Sequence, residues 1–394
     1  MTVDAGSGQI DNVNANRIDR GMRDGVAIHA AALAAGFSTR LLPRQVLQVW
    51  TPAGETTAFT HGIPQSTTLA AVTYSQDLRM RRGLLGHDGV PQPRGATFPV
   101  GRARETAHRY ARRIGYPVAI KPAIGDSTIS VRRHVCNEIE LDEAFDELLM
   151  PLRDRPGHTE AAYGITELRK PGWRKGQETV PPGYRVLVEE QLPGRYLRVL
   201  VLGGEILSVV DCPDGPWGSG NSVVKDLGDL QEPVAEAVRG VTGAIPGLKV
   251  VSIDLVIPGD SAATGGPTGE ALVVDVSERP WLEVQHRIDP QLSDGLAQQV
   301  LALDLPDHRF DAPQDHVETT VDFDGVIDPP TFIDTVTTYA GARGLAVDLE
   351  VTDRALGRVG GTLGGAPHQI AEIVEILLND GIDSQVAMKA KLTQ

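Results

Sequence analysis

Residues 186–206 read VLVEEQLPGRYLRVLVLGGEI. Two runs rich in Val and Leu, the composition of buried strands, flank a Pro-Gly turn. Yet the first run ends in Glu189 and Glu190, and Arg198 interrupts the start of the second. A charge inside an apolar strand costs several kcal/mol unless it is paired or takes a ligand. Any sheet built from these runs must therefore supply partners for its own charges. The pattern recurs at Asp254 in VVSIDLV and Asp275 in LVVDVSE, with Ser277 on the same strand face as Asp275. Carboxylates plus substrate phosphates are the usual Mg²⁺ ligand set, although a single strand-end Asp is more often structural. Lys121 ends the apolar run PVAIK, where it reaches either back to solvent or into a cleft. The following loop, GDSTISV, brings Ser127 and Thr128, whose hydroxyls and backbone N–H groups can cradle phosphate or simply form a hairpin turn.

The rest of the chain bounds what such a sheet can serve. With 394 residues, two or three lobes are expected. A net charge of −15 argues against a general nucleic-acid or anionic-membrane binder. No apolar run reaches the roughly 18 residues that would span a bilayer. Two cysteines, Cys136 and Cys212, exclude a disulfide framework and fit a reducing cytoplasm. The N-terminus lacks the basic start and apolar core of a signal peptide, so a cytoplasmic protein is expected.

Alternating helix and strand patterns predict an α/β fold. VAIHAAALAAGF, RETAHRYARRIGY, ELDEAFDELL and EPVAEAVRGVTGA read as helices, and KVVSIDLVIPG and ALVVDVSERPWLEV as strands. Residues 1–75 form an N-terminal lobe in this reading, 76–182 and 183–310 two further lobes, and 311–394 a separate C-terminal α/β domain. Residues 151–182 read as a long loop. Its basic part, 169–175 around Trp173, is a solvated insertion or a lid over an anionic ligand. Two local motifs are read as incidental. DFDGVI (322–327) looks like a phosphatase nucleophile motif, but too little chain follows for that fold. GRVGGTLGGAPH (357–368) is read as a turn-rich connection, since it lacks the Lys-Ser/Thr of a phosphate-binding loop.

The blocks DGVPQPRG, IGYPVAIKP, VLVEEQLPGRYLRVLVLGGEI, WGSGNSVVKDL and DVSERPWLEV, in this order and rough spacing, resemble the ATP-grasp ligases. The nearest likeness is to cyanophycin-synthetase and glutathione-synthetase types, over about residues 77–290. The resemblance implies an ATP-grasp fold with an added C-terminal domain and ATP and Mg²⁺ as cofactors. It implies carboxylate–amine ligation of an amino acid or small peptide through an acylphosphate, and it is compatible with a homodimer. By position, Glu189, Glu190 and Leu192 would meet adenine at the hinge. Lys121 would neutralise phosphates, with Ser127 and Thr128 in the phosphate loop. Arg198 would face the γ-phosphate and the reacting carboxylate, and Asp254, Asp275 and Ser277 would bind metal. Several family residues are replaced: Asp275 stands for Glu, Ser277 for Asn, Tyr196 for a ribose-binding acid, Leu78 for Lys, Asp211 for Arg and Ser219 for an acid. These departures raise an alternative, a degenerate ATP-grasp protein that binds nucleotide or regulates without turnover.

Overall fold

The computed structural model describes residues 21–125, 130–155, 171–181, 183–213, 215, 223–229, 231–259 and 269–394. Helices and strands are mixed throughout, as the α/β reading expects. They form two compact units, one of residues 1–56 with 309–394, the other of residues 57–308.

In the first unit six strands run in the order Ala346–Asp353, Arg358–Gly365, Val317–Asp324, Lys389–Thr393, Ser38–Leu42 and Val46–Trp50. The reading from sequence separates 311–394 from the N-terminal lobe. Here Lys389–Thr393 pairs antiparallel with both Ser38–Leu42 and Val317–Asp324, stitching the two ends of the chain into one sheet. Val317–Asp324 alternates buried and exposed residues, so one face carries the core. Helices Arg23–Ala34 and Pro367–Asn379 pack together within this unit, and Phe323 meets Phe332 edge-on at 5.2 Å. The glycine-rich stretch read as a connection is in fact an inner strand, Arg358–Gly365. Its glycines permit close strand approach: a Cβ on Gly361 would lie 1.9 Å from the Asp348 carbonyl oxygen. Asp324, in the phosphatase-like motif, is ion-paired to Lys389 and Arg358, each at 2.8 Å. Those two cations, Lys389 first, hold its carboxyl below the usual range.

Among the described residues the second unit holds two larger antiparallel sheets and a small hairpin. One has the order Gly95–Pro99, Arg185–Glu190, Val118–Pro122, Arg132–Val135; the other, Val223–Val224, Glu205–Asp211, Gly194–Leu202, Val250–Pro258, Leu272–Ser277. Each has its own core. The first packs Val118, Ile120, Val186 and Val188 against helices Arg104–Ile114 and Glu138–Leu149. The second packs Val199, Val201, Ile253 and Leu255 against helix Glu232–Ala244. Helices Leu78–His87 and Glu138–Leu149 begin at side-chain caps: Asp77 accepts from Arg79 N at 2.9 Å and Asn137 from Glu140 N at 3.0 Å. Within the loop read as 151–182, the described part contains a small hairpin, Gly172–Arg174 with Gln177–Thr179, on which Trp173 is exposed. Arg169 and Lys170 lie outside the described residues. Among the described residues, no helix is long and apolar enough to cross a membrane.

Candidate nucleotide site

The Val-Leu runs supply partners for their own charges, and they do so across strands. Antiparallel pairing sets Arg198 opposite Asp254, and Asp254 opposite Asp275. Directly opposed residues share a sheet face, so one row reads Arg198, Asp254, Asp275 across three strands. Two neighbouring carboxylates repel unless cations flank them, and here they do. Arg198 grips Asp254 with two hydrogen bonds, Nε to Oδ1 at 2.7 Å and Nη2 to Oδ2 at 2.9 Å, and each side chain is only 1% exposed. On the far side Arg81 donates to Asp275 Oδ1, and Lys121 Nζ lies 3.8 Å from Asp275 Oδ2.

Lys121 comes from the other sheet. Its strand register places it beside Leu187, on the face of Glu189 and away from the helix-packed core. Its Nζ bonds Glu189 Oε1 at 2.7 Å and donates to the Val274 carbonyl at 2.8 Å, tying the two sheets together. Lys121 therefore points inward, not back to solvent, at 2% exposure. Glu189 also meets Arg82 at 3.3 Å, and burial pulls the Arg82 guanidinium below its usual range. Gly95 stands opposite Glu189, and a Cβ there would press on Glu189 and Leu187 at 3.0–3.1 Å.

The other predicted residues are placed as follows. Glu190 is turned outward and forks onto Arg94 at 2.7 and 2.9 Å, and that hydrogen bonding lowers its carboxyl pKa. The hinge amides of Glu190 and Gln191 donate to the Arg94 and Pro117 carbonyls. Leu192, half-buried, has the hinge amide with no backbone partner among the described residues. Ser277 Oγ accepts from Trp281 Nε1 at 3.0 Å and Arg279 N at 3.3 Å. Ser127, Thr128 and Ser219 lie outside the described residues. Tyr196, which takes the place of an acid, sits under Arg133 at 4.7 Å; burial, then the Asp254 charge, raises its phenol well above the usual range. Asp211 pairs with Arg195 at 2.9 Å and Lys225 at 3.3 Å. Leu78 packs on Ala123 and Leu187.

Sequence reasoning missed Arg81. It is buried, donates to the Ser75 carbonyl at 2.9 Å and to the Val276 carbonyl, and neutralises Asp275. A signal existed: in helix Leu78–His87 the buried positions are Leu78, Arg81 and Leu85, so Arg81 lies in the apolar stripe. Nearby, Gln76 Nε2 donates to Glu278 Oε1 at 2.6 Å.

A Mg²⁺ ion needs oxygen donors aimed at one point. Asp254 spends both oxygens on Arg198, Asp275 is held by Arg81, and Ser277 Oγ accepts two N–H groups. Among the described residues no three His, Cys, Asp or Glu side chains are grouped to hold a metal. As arranged, these three residues do not fit a divalent cation.

A curated D-alanine–D-alanine ligase B from Xanthomonas campestris pv. campestris is 30% identical to this chain over 153 residues. That match covers 36% of this chain and 46% of the relative, so the chain spans about half the length of the curated protein it matches. The resemblance is to ATP-grasp ligases. Among solved structures, the chain is similar to the D-alanine–D-alanine ligase from Bacillus anthracis, with a TM-score of 0.42 and 12% identity over 61% of this chain and 69% of that one. It is also similar to the VanG D-Ala:D-Ser ligase from Enterococcus faecalis, at 0.40 and 18% over 61% and 63%. A third is the ATP-grasp ligase PsnB in complex with precursor peptide PsnA2 and AMPPNP, at 0.36 and 12% over 59% of each chain. No family model matches. Lys121 and Arg198 flank the two carboxylates expected from sequence to bind metal.

Proposed function

We propose that this chain is an ATP-dependent carboxylate–amine ligase acting on an amino acid or small peptide. The observation that carries the reading is the charged row that runs from Lys121 on one sheet, through Asp275 and Asp254, to Arg198 on the other. The partial likeness to a D-alanine–D-alanine ligase supports it.

In this reading a substrate carboxylate oxygen attacks the γ-phosphorus of ATP and ADP leaves. The amine nitrogen then attacks the acyl carbon, inorganic phosphate departs, and an amide forms while the amine's proton passes to solvent or phosphate. Phosphoryl transfer asks mainly for charge stabilisation and positioning. Lys121 and Arg198 would serve the phosphates, and Arg81 and Arg82 add to the same positive field. Glu189, Glu190 and Leu192 would line the adenine hinge. Ser127 and Thr128 would belong to the phosphate loop, and the basic stretch 169–175 would close over the acylphosphate. Asp254, Asp275 and Ser277 do not fit Mg²⁺ as arranged, so in this reading the cationic side chains offset the phosphate charge.

The test is phosphate release from ATP with pooled amino acids and small peptides, with product masses measured and ADP separated from AMP. ADP with a new amide mass is the expected result. ATP that binds but turns over with no pool would overturn the ligase reading. It would favour the second reading, a nucleotide-binding or regulatory protein without turnover. The closed Arg198–Asp254 fork is the observation on that side.

A further inference from the structure

The carboxylates predicted to hold metal are occupied by arginine, and that arrangement has a chemical meaning. A divalent-cation site carries surplus negative charge to offset the ion. Here the charged side chains named around the row are Arg81, Arg82, Lys121, Arg198 and Arg279 against Glu189, Asp254, Asp275 and Glu278, five cations minus four anions, or +1. Eight of the nine are buried; Arg82, its side chain 18% exposed, is half-buried, and without it the buried set balances at four against four. A metal ion added to this set would enter a site whose carboxylates are already matched by cations.

We infer that the guanidinium groups of Arg81 and Arg198 stand at Asp275 and Asp254 where a divalent cation would otherwise sit, so that polyphosphate binding here is independent of divalent metal. The inference rests on the nucleotide-binding part of the proposed function. Arg81 is the decisive residue, because its placement is fixed from three sides. It donates to the Asp275 carboxylate and to the Ser75 and Val276 carbonyls, and it projects from the apolar stripe of a capped helix. A guanidinium is charged at every working pH and presents a rigid fork of donors. It can neutralise a carboxylate permanently, without the exchange that a bound ion allows.

Ser277 fits the same picture. A serine that accepts from Trp281 Nε1 and Arg279 N directs its lone pairs into the protein. Ser252, its cross-strand neighbour, donates to the Pro280 carbonyl at 2.8 Å. The Ser252–Ser277 end of the row is thus hydrogen-bonded internally.

The experiment is a fluorescence titration of the full chain with N-methylanthraniloyl-ATP, in excess Mg²⁺ and in EDTA. Affinities that agree within about twofold are expected. A loss of about tenfold or more on chelation overturns the inference while leaving the proposed nucleotide site standing. No binding under either condition overturns both. Arg81→Ser releases Asp275 and should make binding sensitive to chelation; Arg81→Lys, which keeps a cation, should not. Should Arg81→Ser fail to fold, the wild-type comparison and Arg81→Lys still decide. Mn²⁺ titration of the nucleotide-free protein by electron paramagnetic resonance gives a second readout. Stoichiometric Mn²⁺ bound by wild type and lost in Asp275→Asn would overturn the inference.

Discussion

The Arg198–Asp254 fork allows a worked prediction. Both side chains are 1% exposed, and two hydrogen bonds at 2.7 and 2.9 Å join them. The desolvation cost of such a pair nearly cancels its attraction, so replacing both partners with apolar residues of similar size is close to neutral, whereas removing one partner strands a buried charge at a cost of about 3–5 kcal/mol. Arg198→Met alone leaves Asp254 beside Asp275, two carboxylates on adjacent strands. It should therefore fall at the upper end of that range. Asp254→Leu alone leaves an uncompensated guanidinium and should cost about 3 kcal/mol. The double variant should return to within about 1–2 kcal/mol of wild type, since Asp275 keeps Arg81 and Lys121. The coupling then reaches several kcal/mol, far above the ~0–1 kcal/mol of an exposed pair. Urea unfolding followed by circular dichroism, with the transition of residues 57–308 fitted separately, reads it directly. Single variants that each cost under about 1 kcal/mol would refute the reasoning, because the pair would then be solvated in solution.

Three further outcomes are expected. Lys121→Met should weaken nucleotide binding by about tenfold or more in calorimetry; adding Glu189→Gln should recover part of the stability but not the affinity, because it removes a carboxylate left with Arg82 alone and returns no cation. Gly361→Ala should destabilise the first unit by a few kcal/mol in thermal unfolding, since its Cβ would meet the Asp348 carbonyl oxygen at 1.9 Å. The first unit should also show a stability plateau between about pH 4.5 and 6.5, set by two buried groups titrating in opposite senses. Burial pushes the Glu375 carboxyl up to about 8, so its contribution is full below pH 4.5 and is lost as pH rises towards 8. Burial pulls His29 down to about 3, so its contribution is full above pH 6.5 and is lost as pH falls towards 3. Between 4.5 and 6.5 the two slopes cancel. Above 6.5 only Glu375 acts, and roughly 2 kcal/mol should vanish by pH 8. Denaturant midpoints against pH check this, and Glu375→Gln should flatten the alkaline side and turn the plateau into a rise with pH, since His29 alone then acts between 4.5 and 6.5.

Much of the fold was legible because single segments announce themselves. Amphipathic helices and Val-rich strands obey local periodicities, and the charges trapped in those strands marked the candidate site. What stayed hidden depended on pairing at long range. Lys389–Thr393 becomes a strand because Ser38–Leu42 and Val317–Asp324 take it between them. Arg358–Gly365 looks like a loop because glycine disfavours isolated strands, yet glycine is what lets the Ala346–Asp353 backbone approach. Sequence pointed to Lys121, Arg198, Asp254 and Asp275 as special, but it could not say that they would satisfy one another. That outcome depends on strand register and on Arg81, a single residue in a helix that otherwise reads as merely charged.

This distinction bears on how far a motif carries function. Asp254 and Asp275 satisfy a metal motif by type and order, and a motif records nothing about where their oxygens are spent. In this chain each carboxylate meets a guanidinium before it meets solvent. Arg81 is thus the residue on which the two functional readings part. If a ligand displaces it, Asp275 is released and a metal-assisted ligase becomes accessible. If it holds, the row is a fixed cationic platform on which polyphosphate rests without an ion. Chelation of the wild-type protein separates these cases, because only a displaced Arg81 leaves Asp275 free to take an ion. Turnover that requires Mg²⁺ and is lost in EDTA would favour displacement, and turnover that survives chelation would favour the platform.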